Sequence, residues 1–138
     1  MIEVSLDGAR WEQRVDGVAS FTSLFAPGDT LSGAFVIDAE PRGVRVSLVW
    51  YTDGKGTDHL RVHWHREYSA GDLELLGAQR RGRFETRFPS APLTYSGHLL
   101  RVCWALRVLV RPTEGKDEVT ELPLTLGAVA PIDQWGSE

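Results

Sequence analysis

Between His98 and Arg111 an apolar side chain stands at every second position. Leu100, Val102, Trp104, Leu106, Val108 and Val110 fall on one side, with Arg101, Cys103, Ala105 and Arg107 on the other. A helix would repeat its apolar residues every three or four positions, whereas a strand turns over at each residue. The pattern recurs at Val44, Val46, Leu48 and Trp50. It recurs again at Leu60, Val62 and Trp64, set between polar His59, Arg61, His63 and His65. Each segment therefore has one apolar and one wet face, as in an antiparallel sheet covered on one side. Strands of a parallel sheet covered on both sides would be apolar throughout. The 98–111 segment, as the longest, is expected to be a central strand.

Further strands are expected over 2–6, 30–37, 83–88 and 119–126, with Pro123 at an edge or a break because it has no N–H to give a ladder. Turn residues punctuate the chain at Ala26-Pro27-Gly28-Asp29, Glu40-Pro41-Arg42-Gly43, Asp53-Gly54-Lys55-Gly56, Ser69-Ala70-Gly71-Asp72, Tyr95-Ser96-Gly97 and Thr113-Glu114-Gly115-Lys116. In the first of these, proline at the second position and glycine at the third specify a type II turn. Seven or more short strands separated by such turns predict an all-β, immunoglobulin-like antiparallel β-sandwich.

A chain of 138 residues has room for one such domain. The sandwich is expected over residues 1–126 and a C-terminal tail over 127–138. Nineteen acidic against fifteen basic residues give a net charge of −4, without the basic excess of a nucleic-acid binder. Lys55 and Lys116 are the only lysines, so arginine, the better bidentate partner for anions, carries most of the positive charge. No apolar run approaches the roughly 18 residues of a membrane span, and the first residues do not read as a signal peptide; a cytoplasmic location is expected. Cys103 is the single cysteine, which excludes a disulfide within the chain.

Two segments carry a family resemblance. Phe25-Ala26-Pro27-Gly28-Asp29-Thr30-Leu31-Ser32-Gly33 resembles the "PGE-x-V-x-G" entry into an early strand of arrestin-like proteins. Phe84-Glu85-Thr86-Arg87-Phe88-Pro89-Ser90-Ala91-Pro92-Leu93-Thr94-Tyr95-Ser96-Gly97 is similar to the "F-x-F-x-x-P … P-x-(Y/F)-x-G" stretch that precedes a long strand in the same superfamily. Together they imply a single arrestin-like sandwich of the kind found in prokaryotic members, and a broad protein-interaction role. Gly33 would leave room on a crowded strand, and the prolines would carry the chain between sheets. Eukaryotic arrestins have two sandwiches and an N-terminal lysine pair, both absent here, so receptor binding and phosphate sensing are not implied.

Candidate chemistry is sparse. His59, His63 and His65 are expected on the polar face of one strand. Two of them, His63 and His65, stand two residues and about 6.6 Å apart, a spacing that lets both reach a zinc ion. The plainer reading is a solvated face. Arg80, Arg81, Arg83 and Arg87, with Glu85 among them, form the densest positive cluster and are the candidate partner-binding residues. Here too a solvated hairpin face is the plainer reading. Gly54-Lys55-Gly56-Thr57 lacks phosphate-loop spacing, and no "G-x-S-x-G" elbow is present. Trp50, Trp64 and Trp104 read as core, whereas Trp11 and Trp135 are either anchors or exposed contacts.

The functional expectation is a non-enzymatic adaptor module with a protein partner, no nucleic acid, no transmembrane segment and no cofactor. The alternative is a metal-binding protein or metal-dependent enzyme built on His59, His63 and His65. A sugar-binding sandwich is weaker, because its best aromatics are assigned to the core.

Overall fold

A computed structural model describes residues 2–7, 11–15, 18–54, 59–96 and 100–127. These residues form strands β1 (Ile2–Asp7), β2 (Trp11–Val15), β3 (Val18–Phe25), β4 (Thr30–Ile37), β5 (Pro41–Gly54) and β6 (His59–Ser69). A single turn of 3-10 helix (Ala70–Asp72) follows, then β7 (Glu74–Leu76), β8 (Gln79–Arg87), β9 (Tyr95–Ser96), β10 (Leu100–Pro112) and β11 (Glu118–Leu126). The smaller sheet has the order β1-β4-β8-β7; the larger runs β2-β3-β11-β10-β5-β6, with β9 beside β10. No helix among the described residues is long and apolar enough to cross a membrane.

Alternation places the core. Strand β10 lies between β11 and β5, central as expected, and register pairs Trp104 with Trp50, Leu106 with Leu48 and Val108 with Val46. Paired residues share a face, so the even positions of both strands point inward together. Trp104, Leu106, Val108, Leu48 and Val46 are all buried, and across from them the smaller sheet contributes Leu31, Phe35, Ile37 and Phe84. Each such side chain contributes about 1.5–3 kcal/mol by leaving water.

The two segments that carry the resemblance meet at one end of this core. Asp29 N donates to Ala26 O at 3.0 Å and Gly28 has φ +86°, which makes the expected type II turn. Gly28 N then donates to Phe88 O at 3.2 Å, and Phe88 N donates to Asp29 O at 3.0 Å. The Phe88 ring lies 4.9 Å from Phe25 and 5.7 Å from Trp104. From there the proline-rich stretch leads from β8 in one sheet to β9 in the other, through a cis Ala91–Pro92 bond. Gly33 is crowded as expected, because a Cβ there would lie 2.3 Å from Ser5 O and 2.9 Å from Phe84 Cζ.

Several expectations are corrected. The hairpin of β2 and β3 carried no clear alternation and was not anticipated, and β8 starts four residues earlier than expected, at Gln79 rather than Arg83. The sheets are not wholly antiparallel, for β3 runs parallel to β11 at Ser23↔Leu124, Leu24↔Thr125 and Phe25↔Leu126. Pro123 sits one residue before that ladder begins, so its missing N–H falls at a break. Leu60 and Val62, expected on an apolar buried face, are 46% and 54% exposed. Residues 128–138, with Trp135, lie outside the described residues, as do His98, the 55–58 turn and the Trp11 side chain.

Candidate functional site

The reason Leu60 and Val62 are exposed is a bulge. Strand β6 pairs Ser47 with His65 and Leu48 with Trp64, but Val49 is paired with Val62, so His63 is an extra residue. An inserted residue reverses the alternation beyond it. Trp64 faces inward with Leu48, whereas Val62 and Leu60 face outward with Val49 and Tyr51. The three histidines are divided by the same reversal. His59 pairs with inward-facing Thr52, His65 pairs with outward-facing Ser47, and His63 sits at the bulge with its ring 6.0 Å from Trp104. The expectation that His59, His63 and His65 share one face is thus overturned. Among the described residues no three His, Cys, Asp or Glu side chains come together as a metal site.

The arginine cluster is divided too. Register on β4 pairs Arg81 with Val36, Arg83 with Ala34 and Arg87 with Thr30, all on the outer face, while Arg80 pairs with inward-facing Ile37. Arg83 is held by Asp7 at 2.6 Å across β4, and Ser32 Oγ donates to the same carboxylate at 3.2 Å. Glu85 stands between Arg83 and Arg87, and Glu74 on β7 pairs with Arg81. Arg80 reaches instead toward the carbonyl of Ala70 at 3.5 Å.

What the bulge builds lies on the side of the sandwich where β6 and β8 are neighbours across the two sheets. Strand β7 covers the edge of β8 only from Gln79 to Arg81. Beyond that point two carbonyls on this edge, those of Arg83 and Arg87, are met by side chains from β6. Tyr68 donates its hydroxyl to Arg83 O, and His63 Nε2 lies 3.2 Å from Arg87 O. His63 and Tyr68 are five residues apart, an odd interval that would put them on opposite faces of a regular strand. The extra residue at the bulge brings both to face β8. Tyr68 is buried and packs edge-on against Phe35 at 5.3 Å, and this burial raises its hydroxyl pKa above the ordinary 10.0.

Arg61 and Arg66 share this inward-facing side of β6, paired with Trp50 and Val46. Both are exposed; the Arg66 guanidinium lies 4.5 Å from the centre of the Tyr68 ring, while Arg61 makes no ion pair among the described residues. The side is closed at its far end by the 3-10 turn, where Ser69 N donates to Asp72 Oδ2 at 2.7 Å and so lowers the Asp72 pKa. Arg61, Arg66 and Tyr68 were not singled out from the sequence. The even-numbered aromatic pair Trp64 and Tyr68 was the available signal, since it extends the alternation past His65.

A second polar grouping lies on the outer face of the larger sheet. Tyr51 pairs with Cys103, and burial followed by the nearby thiol raises the Tyr51 pKa. Arg107 Nε is buried without a hydrogen-bond partner, 3.6 Å from Glu121. With Asp53, His59, Leu60 and Thr52, Tyr51 and Arg107 line a shallow open depression.

Two facing sheets, joined by a proline-rich corner and closed on one side by β6 and β8, define an all-β, arrestin-like sandwich. A solved structure of this shape is that of Spo0M, a sporulation control protein from Bacillus subtilis, which matches with a TM-score of 0.60 at 12% identity. The match covers 92% of this chain and 49% of that one, so the chain spans about half the length of the structure it resembles. No family model matches the sequence, and no curated protein matches it.

Proposed function

We propose that this chain is a non-enzymatic, cytoplasmic protein-interaction module of the arrestin-like type, and that its partner binds on the side formed by β6 and β8. One observation carries the reading. Among the described residues, two strand edges at this side lie unpaired beside exposed Arg61, Arg66, Leu60 and Val62, and only two side-chain hydrogen bonds span the interval from Arg83 to Arg87. An open strand edge offers backbone donors and acceptors that a partner satisfies on binding. Arg87, from the cluster singled out in the sequence, borders this side.

The test is site-specific photocrosslinking in cells. A benzophenone amino acid is placed at position 62 on β6 and, for comparison, at position 5 on β1, the opposite edge of the smaller sheet. Discrete protein adducts from position 62 and none from position 5 are expected. Equal labelling from both, or none from position 62, would overturn the assignment.

A further inference from the structure

Resting on that reading, we propose that the partner presents an extended acidic segment, which binds as a short added strand along the edge of β8 at Glu85 and Arg87 and displaces His63 as it enters. Residues two apart on a strand turn their N–H and C=O groups to the same edge. Arg81 pairs toward β7, and the carbonyls of Arg83 and Arg87 accept from β6 side chains, so the Glu85 amide and carbonyl point the same way. Among the described residues nothing bonds them. Continuing the position of β7 along β8 would fill this gap.

The two contacts that span the gap differ in how easily they yield. Tyr68 is buried beneath Arg66 and against Phe35, so it stays. The His63 side chain is exposed and sits at a bulge, and moving its ring frees the Arg87 carbonyl for a new ladder bond. The edge released reaches from Arg87 back to Glu85, two steps of about 3.3 Å, which pairs with a strand of about three residues.

Charge selects the partner. One face of the entering strand would meet Arg61 and Arg66 on β6; the other would lie beside Arg87 on the outer face of β8. The acidic groups nearest this edge are Glu85 between Arg83 and Arg87, Glu74 opposite Arg81, Asp72, which is occupied by Ser69, and Asp7, which is paired with Arg83. Arg61, Arg66 and Arg87 make no ion pair among the described residues, so this edge of a chain with net charge −4 keeps cations for a partner. Opposite charges on facing strand positions stabilise pairing and speed encounter.

The probe is a fluorescein-labelled octapeptide of alternating Glu and Val, compared with one of alternating Lys and Val, measured by fluorescence anisotropy. The acidic peptide is expected to bind, at least about tenfold more weakly when salt is raised from low to physiological concentration. Binding should be lost in the Arg61→Glu, Arg66→Glu double variant, whose substitutions are at exposed positions. Amide exchange at Glu85 should slow on binding, and Glu85→Pro should abolish binding. No binding of the acidic peptide, equal binding of the lysine peptide, or an unprotected Glu85 amide would overturn the proposal. If photocrosslinks from position 62 persist in any of these cases, the interaction reading stands and only the acidic strand is lost. If the crosslinks are absent as well, both are lost.

Discussion

The indole N–H of Trp104, on the central strand of the larger sheet, donates to the carbonyl oxygen of Pro92 at 2.7 Å. One end of the hydrogen bond is in the core and the other in the corner that joins the sheets, so it fixes the path of the chain between β8 and β10. Trp104→Phe keeps most of the apolar contact with Phe88 but leaves the carbonyl without its donor. A loss of about 1–3 kcal/mol is expected in urea denaturation. A loss below 0.5 kcal/mol, on the order of an ordinary surface substitution, would show that the bond does not hold the corner.

Gly33 and Gly43 form a matched pair. A Cβ at Gly33 would lie 2.3 Å from a backbone oxygen of β1, an atom that cannot move without shifting the strand, whereas one at Gly43 meets nothing closer than 3.5 Å. Gly33→Ala is expected to destabilise by more than about 2 kcal/mol, and Gly43→Ala by less than about 0.5 kcal/mol. Thermal melts of the two variants side by side check this, and similar melting temperatures would contradict it.

Tyr68 should shape the alkaline limb of the stability curve. Its pKa in the folded protein lies above the unfolded value of 10.0, so its contribution is complete below pH 10. As the pH rises past 10 the unfolded chain gives up the proton first, and the contribution is lost by the time the folded pKa is passed. Denaturant midpoints measured from pH 8 to 11 should fall less steeply for Tyr68→Phe than for the unaltered protein. Parallel limbs would assign the fall to other groups.

Because His63 is the inserted residue at the bulge, removing it outright should leave a regular ladder with every other β6 side chain on its present face. The deletion is expected to fold and to cost about 1–2 kcal/mol, the value of one hydrogen bond and one ring contact. Deleting Val46 from β5 is the contrasting case, since it would turn half of a central strand inside out. Circular dichroism and urea titration of the two deletions distinguish them; a His63 deletion as damaging as that of Val46 would refute the bulge as its own register device.

How far the sequence foretold this arrangement depended on whether a residue kept the period of its strand. In β10 the period runs unbroken, and Val102 to Val110 could be assigned to faces by position alone. The Ala26-Pro27-Gly28-Asp29 turn was equally legible, because proline and glycine fix backbone angles locally. In β6 the written alternation of Leu60, Val62 and Trp64 persists through a backbone that reverses at His63, so reading it as one face misplaced Leu60, Val62 and two of the histidines. A bulge is a property of pairing with β5, and nothing in the eleven residues of β6 alone marks it. The same limit applies to the open edge at Glu85, which exists because β7 is only three residues long.

The parallel pairing of β3 with β11 bears on the order in which the molecule assembles. Ser23 and Leu124 are neighbours in the sheet although about a hundred residues separate them in the chain. Closing so long a loop is entropically costly until the strands between are in place. During synthesis the β2–β3 hairpin emerges before the other strands of the larger sheet, yet β11, with which it pairs, emerges after all of them. The first strands of the larger sheet to be synthesised are therefore the last to be joined to the rest of it.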